Sequence, residues 1–442
     1  MKNVFFVGIN GIGMSALAQI MKNLNYNVSG SDLSKSYLSE KMQNQGIKIY
    51  NKHESKNIDN IDTLIVSTAI GESNPEYQRA KAEGISIIKR GELLANLLNQ
   101  KTGIAVAGTH GKTTTSSMLS TVLLEKDPTI VVGGIIPAIG SNSKYGSSEY
   151  FVAEADESDN SFLFMNPKYS IVTNIEEDHL EKHGCLANIK KSFEKFISQT
   201  FEEALVCEDC HNCDVILKDK KVKTYSLINK DAFIFADNIK VDGKKTYFDI
   251  YINKKFEGQF VLSIPGRHNV YNALPVIYLA LKFGVSKENI KSSISQFTGA
   301  KRRYDILLDN DNIKVIDDYG HHPTEIRATL EGARSIETKK ITVVFQPHRF
   351  SRVKFLLDQF QGSFDNADEL ILMPVYSAGE KDEFGITIED LLKKINHKNS
   401  KITFSEEELE NDILNRKDSR VYIFMGAGSI STFAHDLVEK IK

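Results

Sequence analysis

The run Ile104-Ala-Val-Ala-Gly108-Thr109-His110-Gly111-Lys112-Thr113-Thr114-Thr115 constrains this chain more than any other stretch. Small and branched apolar residues lead into Gly108, and Gly111, Lys112 and Thr113 precede a segment of helical character. The pattern predicts a buried strand, a tight loop and a helix start, and therefore an α/β unit built around them. Such a loop suits phosphate, because glycine lets main-chain N–H groups crowd an anion and the helix N-terminus adds partial positive charge. Gly108 to Thr114 is thus a candidate cradle, with Lys112 reaching terminal phosphates and the Thr113 hydroxyl ligating Mg2+. The strict pattern asks for a further glycine where this chain has Val106. The loop is a shortened variant, and a plain helix cap with a solvated lysine is the alternative.

Upstream, the strand pattern Val4 to Val7 leads into Gly8-Ile-Asn-Gly11-Ile-Gly13-Met-Ser-Ala16 and a helical stretch, and Asp32 closes the next strand, Asn27 to Gly30. These are the parts of a dinucleotide fingerprint, which makes Gly11, Gly13 and Asp32 candidate nucleotide-binding residues. The loop requires only that a diphosphate sit on a helix N-terminus, so UDP-linked ligands satisfy it as well as nicotinamide cofactors do. A glycine turn needed for packing alone is the third reading. With Thr63 to Val66, a helix after Pro75, Ser86 to Ile88 and Glu92 to Leu98, residues 1–98 read as a Rossmann-like unit.

Beyond the Lys112 loop, a strand at Tyr150 to Val152 delivers Glu154-Ala-Asp156-Glu157-Ser-Asp159, and another at Ser170 to Thr173 delivers Asn174 and then Asp178-His179. Carboxylates at the ends of parallel strands face a neighbouring phosphate loop, where one can hold Mg2+. His179 alone reads as a surface histidine; delivered beside a phosphate loop it becomes a ligand candidate. Lys218 to Gly258 alternates as an antiparallel hairpin. Pro265-Gly-Arg-His268-Asn269 precedes an apolar helix, Ala273 to Leu281, for which Asn269 is either the N-cap or a hydrogen-bonding group for a base. Arg302 and Arg303 sit at a junction, either solvated or able to swing onto phosphate when domains close.

From Gly299 onward the chain alternates again, with strands at Lys314 to Ile316, Ile341 to Phe345, Glu369 to Met373, Ile402 to Phe404 and Val421 to Phe424. That is a second Rossmann-like sheet. Its first strand ends in Asp317-Asp-Tyr-Gly-His321-His-Pro323, and its second in Gln346-Pro-His-Arg349-Phe-Ser-Arg352. Three residues apart, Arg349 and Arg352 share a face if a helix has begun there, and could clamp a carboxylate or be plain surface charge. The glycine loop at Gly426 and Gly428 reads as a structural turn.

A net charge of −3 over 442 residues argues against a dedicated nucleic-acid or anionic-membrane surface. Met1 to Gly8 is too short for a signal peptide, and no apolar run approaches the ~20 residues of a membrane span. A cytoplasmic protein is expected. Cys207, Cys210 and Cys213 lack the continuation of an iron–sulfur motif, so reduced thiols at a strand end and turn are expected, with adventitious metal as the alternative.

Taken in order, these motifs resemble those of the Mur ligases, from Val4 to Gly428. The set comprises the Gly8 loop, Gly108 to Thr115, Glu154 to Asp159, Thr173-Asn-Ile-Glu-Glu-Asp-His179, Gly266-Arg-His-Asn269, Asp317 to Glu325 and Gln346 to Arg352. The resemblance implies three domains: 1–98 holding UDP, a central ATPase domain 99–298 with a small antiparallel sheet, and 299–442 bringing an amino acid. It implies ATP-dependent joining of L-alanine to the carboxylate of UDP-N-acetylmuramate through an acyl phosphate, in peptidoglycan synthesis, by a monomer or weak homodimer. Mg2+, or Mn2+ in its place, would be held by Thr113, Glu154 and His179, and Lys112 would touch the β/γ-phosphates beside Asn174. His268, Asn269 and Asn272 would surround the adenine, and Arg303 would meet the γ-phosphate. Arg349 and Arg352, with His321 nearby, would handle the alanine and the reacting carboxyl. Asn10 stands where the family commonly has glycine; asparagine tolerates positive φ, so the loop is expected to survive. Three rivals share parts of the set: a ligase that attaches a preformed tripeptide, a nicotinamide-dependent oxidoreductase, and a UDP-binding regulator without turnover.

Overall fold

A computed structural model describes residues 2–34, 37–67, 69–416 and 418–442; Met1, Lys35, Ser36, Thr68 and Lys417 lie outside the described residues. The chain divides into two compact units, one comprising Met1–Glu176, Ala187–Tyr225 and Pro275–Val285, the other Glu177–Leu186, Ser226–Leu274 and Ser286–Lys442. The architecture is α/β throughout.

In the first unit, the N-terminal sheet is parallel, ordered Lys48–Tyr50, Asn27–Ser31, Asn3–Val7, Thr63–Val66, Ser86–Lys89. The strand order reverses beside Asn3–Val7, and the glycine loop leaves that strand and enters the helix Ile12–Asn23. Gly30 pairs with Phe6, and a Cβ there would lie 2.5 Å from the Phe6 carbonyl oxygen and 2.7 Å from Ile9 Cδ1. Gly30→Ala is therefore expected to destabilise the protein by about 1–3 kcal/mol, as overpacking does. An unchanged denaturant midpoint would refute that packing.

The same unit carries seven further strands, ordered Ser141–Lys144, Thr129–Ile136, Tyr150–Glu154, Thr102–Ala107, Tyr169–Val172, Glu203–Cys207, Val222–Ser226. Thr102–Ala107 is buried along its whole length, as a central parallel strand covered on both faces requires.

In the second unit, Lys245–Ile252 and Lys255–Leu262 form the expected antiparallel hairpin, and Ile234–Asp242 adds a third strand that makes it a meander. The C-terminal sheet runs Asp305–Asp309, Ile313–Asp318, Arg420–Met425, Lys340–Phe345, Glu369–Leu372, Ser400–Ile402. Val343 and Ile423 pack into one core, Val344 and Phe424 into another, so the sheet is buried on both sides. Two expectations shift. The stretch after the Arg302–Arg303 junction, for which no strand was expected, forms an antiparallel edge strand against Ile313–Asp318. The strand expected over Ile402 to Phe404 instead spans Ser400–Ile402, leaving Phe404 exposed. Among the described residues, no helix is long and apolar enough to cross a membrane.

Candidate active site

In the first unit, Thr102–Ala107 ends at Gly108, and the helix Lys112–Val122 begins after Gly111, whose φ of 81° lies in the left-handed region. Gly108, at φ 134°, has no room for a side chain: a Cβ would lie 2.0 Å from Thr173 Oγ1. The segment from Thr173 to Glu176 clamps the loop. Thr109 N donates to the Asn174 carbonyl (3.1 Å), His110 N to Asn174 Oδ1 (2.9 Å), and Glu176 N to Thr109 Oγ1 (2.8 Å). Asn174 thus holds the loop through both its carbonyl and its side chain.

Lys112 Nζ donates to the Gly108 and Thr109 carbonyls (2.6 and 3.1 Å) and to Glu157 Oε1 (2.8 Å). Burial works to lower the ammonium pKa, but the carboxylates of Glu157, Glu154 and Asp156 outweigh it, so Lys112 stays firmly protonated. Burial pushes the Glu157 carboxyl up to about 7 despite its lysine partner. Thr113 Oγ1 donates to Glu154, with both carboxylate oxygens 3.0–3.1 Å away, and Gly133 N donates to Glu154 Oε2 at 2.8 Å. A hydroxyl and a carboxylate this close form an all-oxygen donor set that suits a hard cation such as Mg2+. The acidic run at the strand end signalled carboxylates near the loop, but spacing alone did not single out Glu157 as the partner of Lys112. Arg90, unmarked by any motif, lies 3.4 Å from Asp156 and 3.7 Å from Asp159, and 3.2 Å from where a Cβ on Gly13 would sit.

In the glycine loop, Gly8 takes the positive φ (81°), and Asn10 is not among the left-handed residues. Asn10 instead ties the loop down. Its amide donates to the Ser34 carbonyl (2.5 Å), its Oδ1 accepts from Ser39 (2.9 Å), and its backbone N–H donates to Asp32 Oδ2 (2.9 Å). Asp32 Oδ1 accepts from Ser34 N (3.0 Å), so both carboxylate oxygens serve the loop. Gly11 stands at the N-cap of Ile12–Asn23.

The helix Arg267–Lys282, whose residues up to Leu274 belong to the second unit, starts earlier than expected, so Asn269 lies in its first turn and is not its N-cap. Its amide donates to the Pro265 carbonyl (2.6 Å), and Asn272 donates to its Oδ1 (3.2 Å). Burial and then the Arg303 charge bring His268 down to about 4, leaving a neutral ring. Arg303 reaches Glu325 Oε1 at 3.4 Å, and its guanidinium lies over Tyr319.

Arg349 and Arg352 do not share a helix face. Arg349 precedes the helix Phe350–Leu356 at φ 69°, so its side chain leaves the helical path and lies 3.6–3.8 Å from Glu380 and Glu181. Arg352 is inside the helix and 6% exposed, and it grips Asp178 through two hydrogen bonds (Nε–Oδ1 3.0 Å, Nη2–Oδ2 3.2 Å) while donating to His348 Nδ1 (3.1 Å). Although burial alone would raise it, Arg352 holds the Asp178 carboxyl far below the usual carboxylate range. His179, at φ 52°, sits among carboxylates, 3.4 Å from Glu181 and 3.5 Å from Asp178. His321 Nδ1 faces the Tyr319 carbonyl at 3.0 Å, and burial followed by the Arg352 charge keeps the ring neutral.

Three domain models match the chain in sequence: "Mur ligase family, catalytic domain" over residues 3–102, "Mur ligase middle domain" over 106–280, and "Mur ligase, glutamate ligase domain" over 302–428. The chain belongs to the Mur ligase family. Among Mur ligases, it is 55% identical to the UDP-N-acetylmuramate–L-alanine ligase of Fusobacterium nucleatum subsp. nucleatum, across 100% of this chain and 97% of that protein. It is 41% identical to the ligase of the same name from Geotalea uraniireducens, across 100% and 98%. The crystal structure of UDP-N-acetylmuramate-alanine ligase from Thermotoga maritima superposes with a TM-score of 0.84 at 31% identity, covering 100% of this chain and 99% of that one. A murein peptide ligase from Psychrobacter arcticus shares the fold at a TM-score of 0.72 and 22% identity.

Proposed function

We propose that this Mur ligase joins L-alanine to the carboxylate of UDP-N-acetylmuramate at the expense of ATP, through an acyl phosphate, as a step of peptidoglycan synthesis. The observation that carries the chemistry is the first unit's loop, where Lys112 and the Thr113–Glu154 pair sit at the ends of adjacent parallel strands. A carboxylate is a poor acyl donor to an amine, and transferring a phosphoryl group onto it requires cationic groups that hold several negative oxygens in line. Full-length identity with alanine ligases supports the choice of amino acid.

Within this reading, residues 1–98 hold the UDP substrate on the Gly11–Gly13 loop, 99–298 bind ATP, and 299–442 bring the alanine. Lys112 moves from Glu157 onto the β/γ-phosphates. Glu157, already poised near neutrality, takes up a proton when the ammonium leaves it. Thr113 and Glu154, with His179, hold Mg2+, which neutralises phosphate charge when bound. His268, Asn269 and Asn272 line the adenine, Arg303 meets the γ-phosphate, and His321, Arg349 and Arg352 serve the amine and the acyl centre. The protein works in the cytoplasm as a monomer or weak homodimer.

Phosphate release from ATP tests this directly. Release should require UDP-N-acetylmuramate and L-alanine together; release with a tripeptide in place of alanine would favour the sister ligase. Chelation of divalent cations by EDTA should abolish release, and Mg2+ should restore it. Undiminished turnover in EDTA would remove the cation from the account.

A further inference from the structure

The chain carries three cysteines where a strand meets a turn, and none takes part in the proposed chemistry. Cys207 ends the strand Glu203–Cys207, Cys210 is partly exposed, and Cys213 lies buried in the short helix His211–Val215; all are free thiols. Among the described residues, no three of these thiols and His211 cluster tightly enough to hold a metal.

Cys213 N donates to the Cys210 carbonyl at 2.9 Å, which closes Cys210-His-Asn-Cys213 into a turn. The ends of such a turn lie within about 7 Å of each other, overlapping the ~4.4–6.8 Å span that a disulfide bridges. The turn keeps the two side chains close enough for the Cys213 thiol to act on Cys210 as a polar neighbour. That contact sets the Cys210 thiol near 6, while the same contact and burial raise Cys213, and burial takes Cys207 up to about 12. A partly exposed, readily ionised cysteine beside a buried partner in a C-x-x-C turn is the arrangement of an attacking and a resolving thiol.

The turn also touches the phosphate loop's clamp. Ile175 N donates to Cys210 Sγ (3.3 Å), the Cys210 thiol donates back to the Ile175 carbonyl (3.6 Å), and Asn212 donates to that carbonyl (2.9 Å). Ile175 stands between Asn174 and Glu176, the two residues that hold His110 and Thr109.

We propose that Cys210 and Cys213 form a reversible disulfide whose closure loosens the Asn174–Glu176 clamp and weakens ATP binding at the Lys112 loop. The oxidant is a small-molecule disulfide. The Cys210 thiolate attacks one of its sulfurs and expels a thiolate. Cys213 then loses its proton and attacks the Cys210 sulfur, expelling the second. Two protein thiols are oxidised and one small disulfide is reduced to two thiols. Once bridged, Cys210 offers Ile175 N a neutral disulfide sulfur in place of a thiolate and accepts from it only weakly. The link to catalysis rests on the ligase function proposed above; the cross-link itself does not.

The test uses the full chain treated with glutathione disulfide, peptide mapping by mass spectrometry, and calorimetric ATP titration before and after dithiothreitol. The expected result is a Cys210–Cys213 peptide lighter by two hydrogens, an ATP affinity lowered about tenfold, within the usual range of coupling between sites, and full recovery on reduction. Cys210→Ser and Cys213→Ala should each abolish the cross-link and hold ATP affinity constant under oxidation, with the reduced-state affinity of the parent. Absence of the cross-link, pairing through Cys207 instead, or a cross-link that leaves ATP affinity unchanged would each overturn the proposal.

Discussion

Lys112→Ala is expected to lower ligation at least about a hundredfold, the scale on which a preorganised charge at a developing anion contributes. Fold and thermal transition should stay close to the parent, because Glu157, the group left behind, sits near neutrality and becomes protonated once its cation is removed. Steady-state phosphate release and a melting curve measure the two halves. Residual activity above roughly 1% would contradict the role given to Lys112, the same electrostatic reasoning applying. A collapsed melting transition would instead make the Lys112–Glu157 pair structural.

Arg352→Ala is expected to produce the largest loss of stability, about 3–5 kcal/mol, because it strands the buried Asp178 carboxylate without its partner. The pH dependence carries a definite sign. The Asp178 pKa is lowered in the folded protein. Its stabilisation is thus fully present above the ordinary carboxylate range and is lost as pH falls through the folded value. The gap between parent and variant should therefore narrow in acid, as followed by denaturant midpoints across pH. A gap that is absent at neutral pH, or one that widens in acid, would show that the pair contributes little. Asp178→Asn combined with Arg352→Ala should recover part of the loss, since no buried charge is then left alone.

These two residues also mark how far the sequence could be read. The Lys112 loop was legible because glycine, lysine and threonine between an apolar strand and a helix leave few other uses for that spacing. Thr113 and Glu154 followed from strand ends on adjacent parallel strands. Arg352 was legible as a charge at a strand end, but its partner lies 174 residues away in sequence, and no local pattern encodes that pairing. The shared face expected for Arg349 and Arg352 failed because Arg349 adopts a positive φ that starts the helix one residue later. Asn10 was expected to mimic glycine and instead works through its side chain, which backbone tolerance could not foretell. The edge strand Asp305–Asp309 was hidden by the charges around it, since an edge strand half exposed to solvent loses the continuous apolar signature of its buried neighbours.

The central claim is that ATP activates the carboxylate of UDP-N-acetylmuramate for attack by alanine. The most direct measurement supplies that substrate with heavy oxygen in its carboxylate, together with ATP, Mg2+ and L-alanine, and reads the masses of the phosphate and of the product. Acyl-phosphate chemistry predicts one labelled oxygen in each phosphate released and a product that has gained one alanyl residue and kept only one of the two carboxylate labels. Unlabelled phosphate, or phosphate released without that product, would contradict the account.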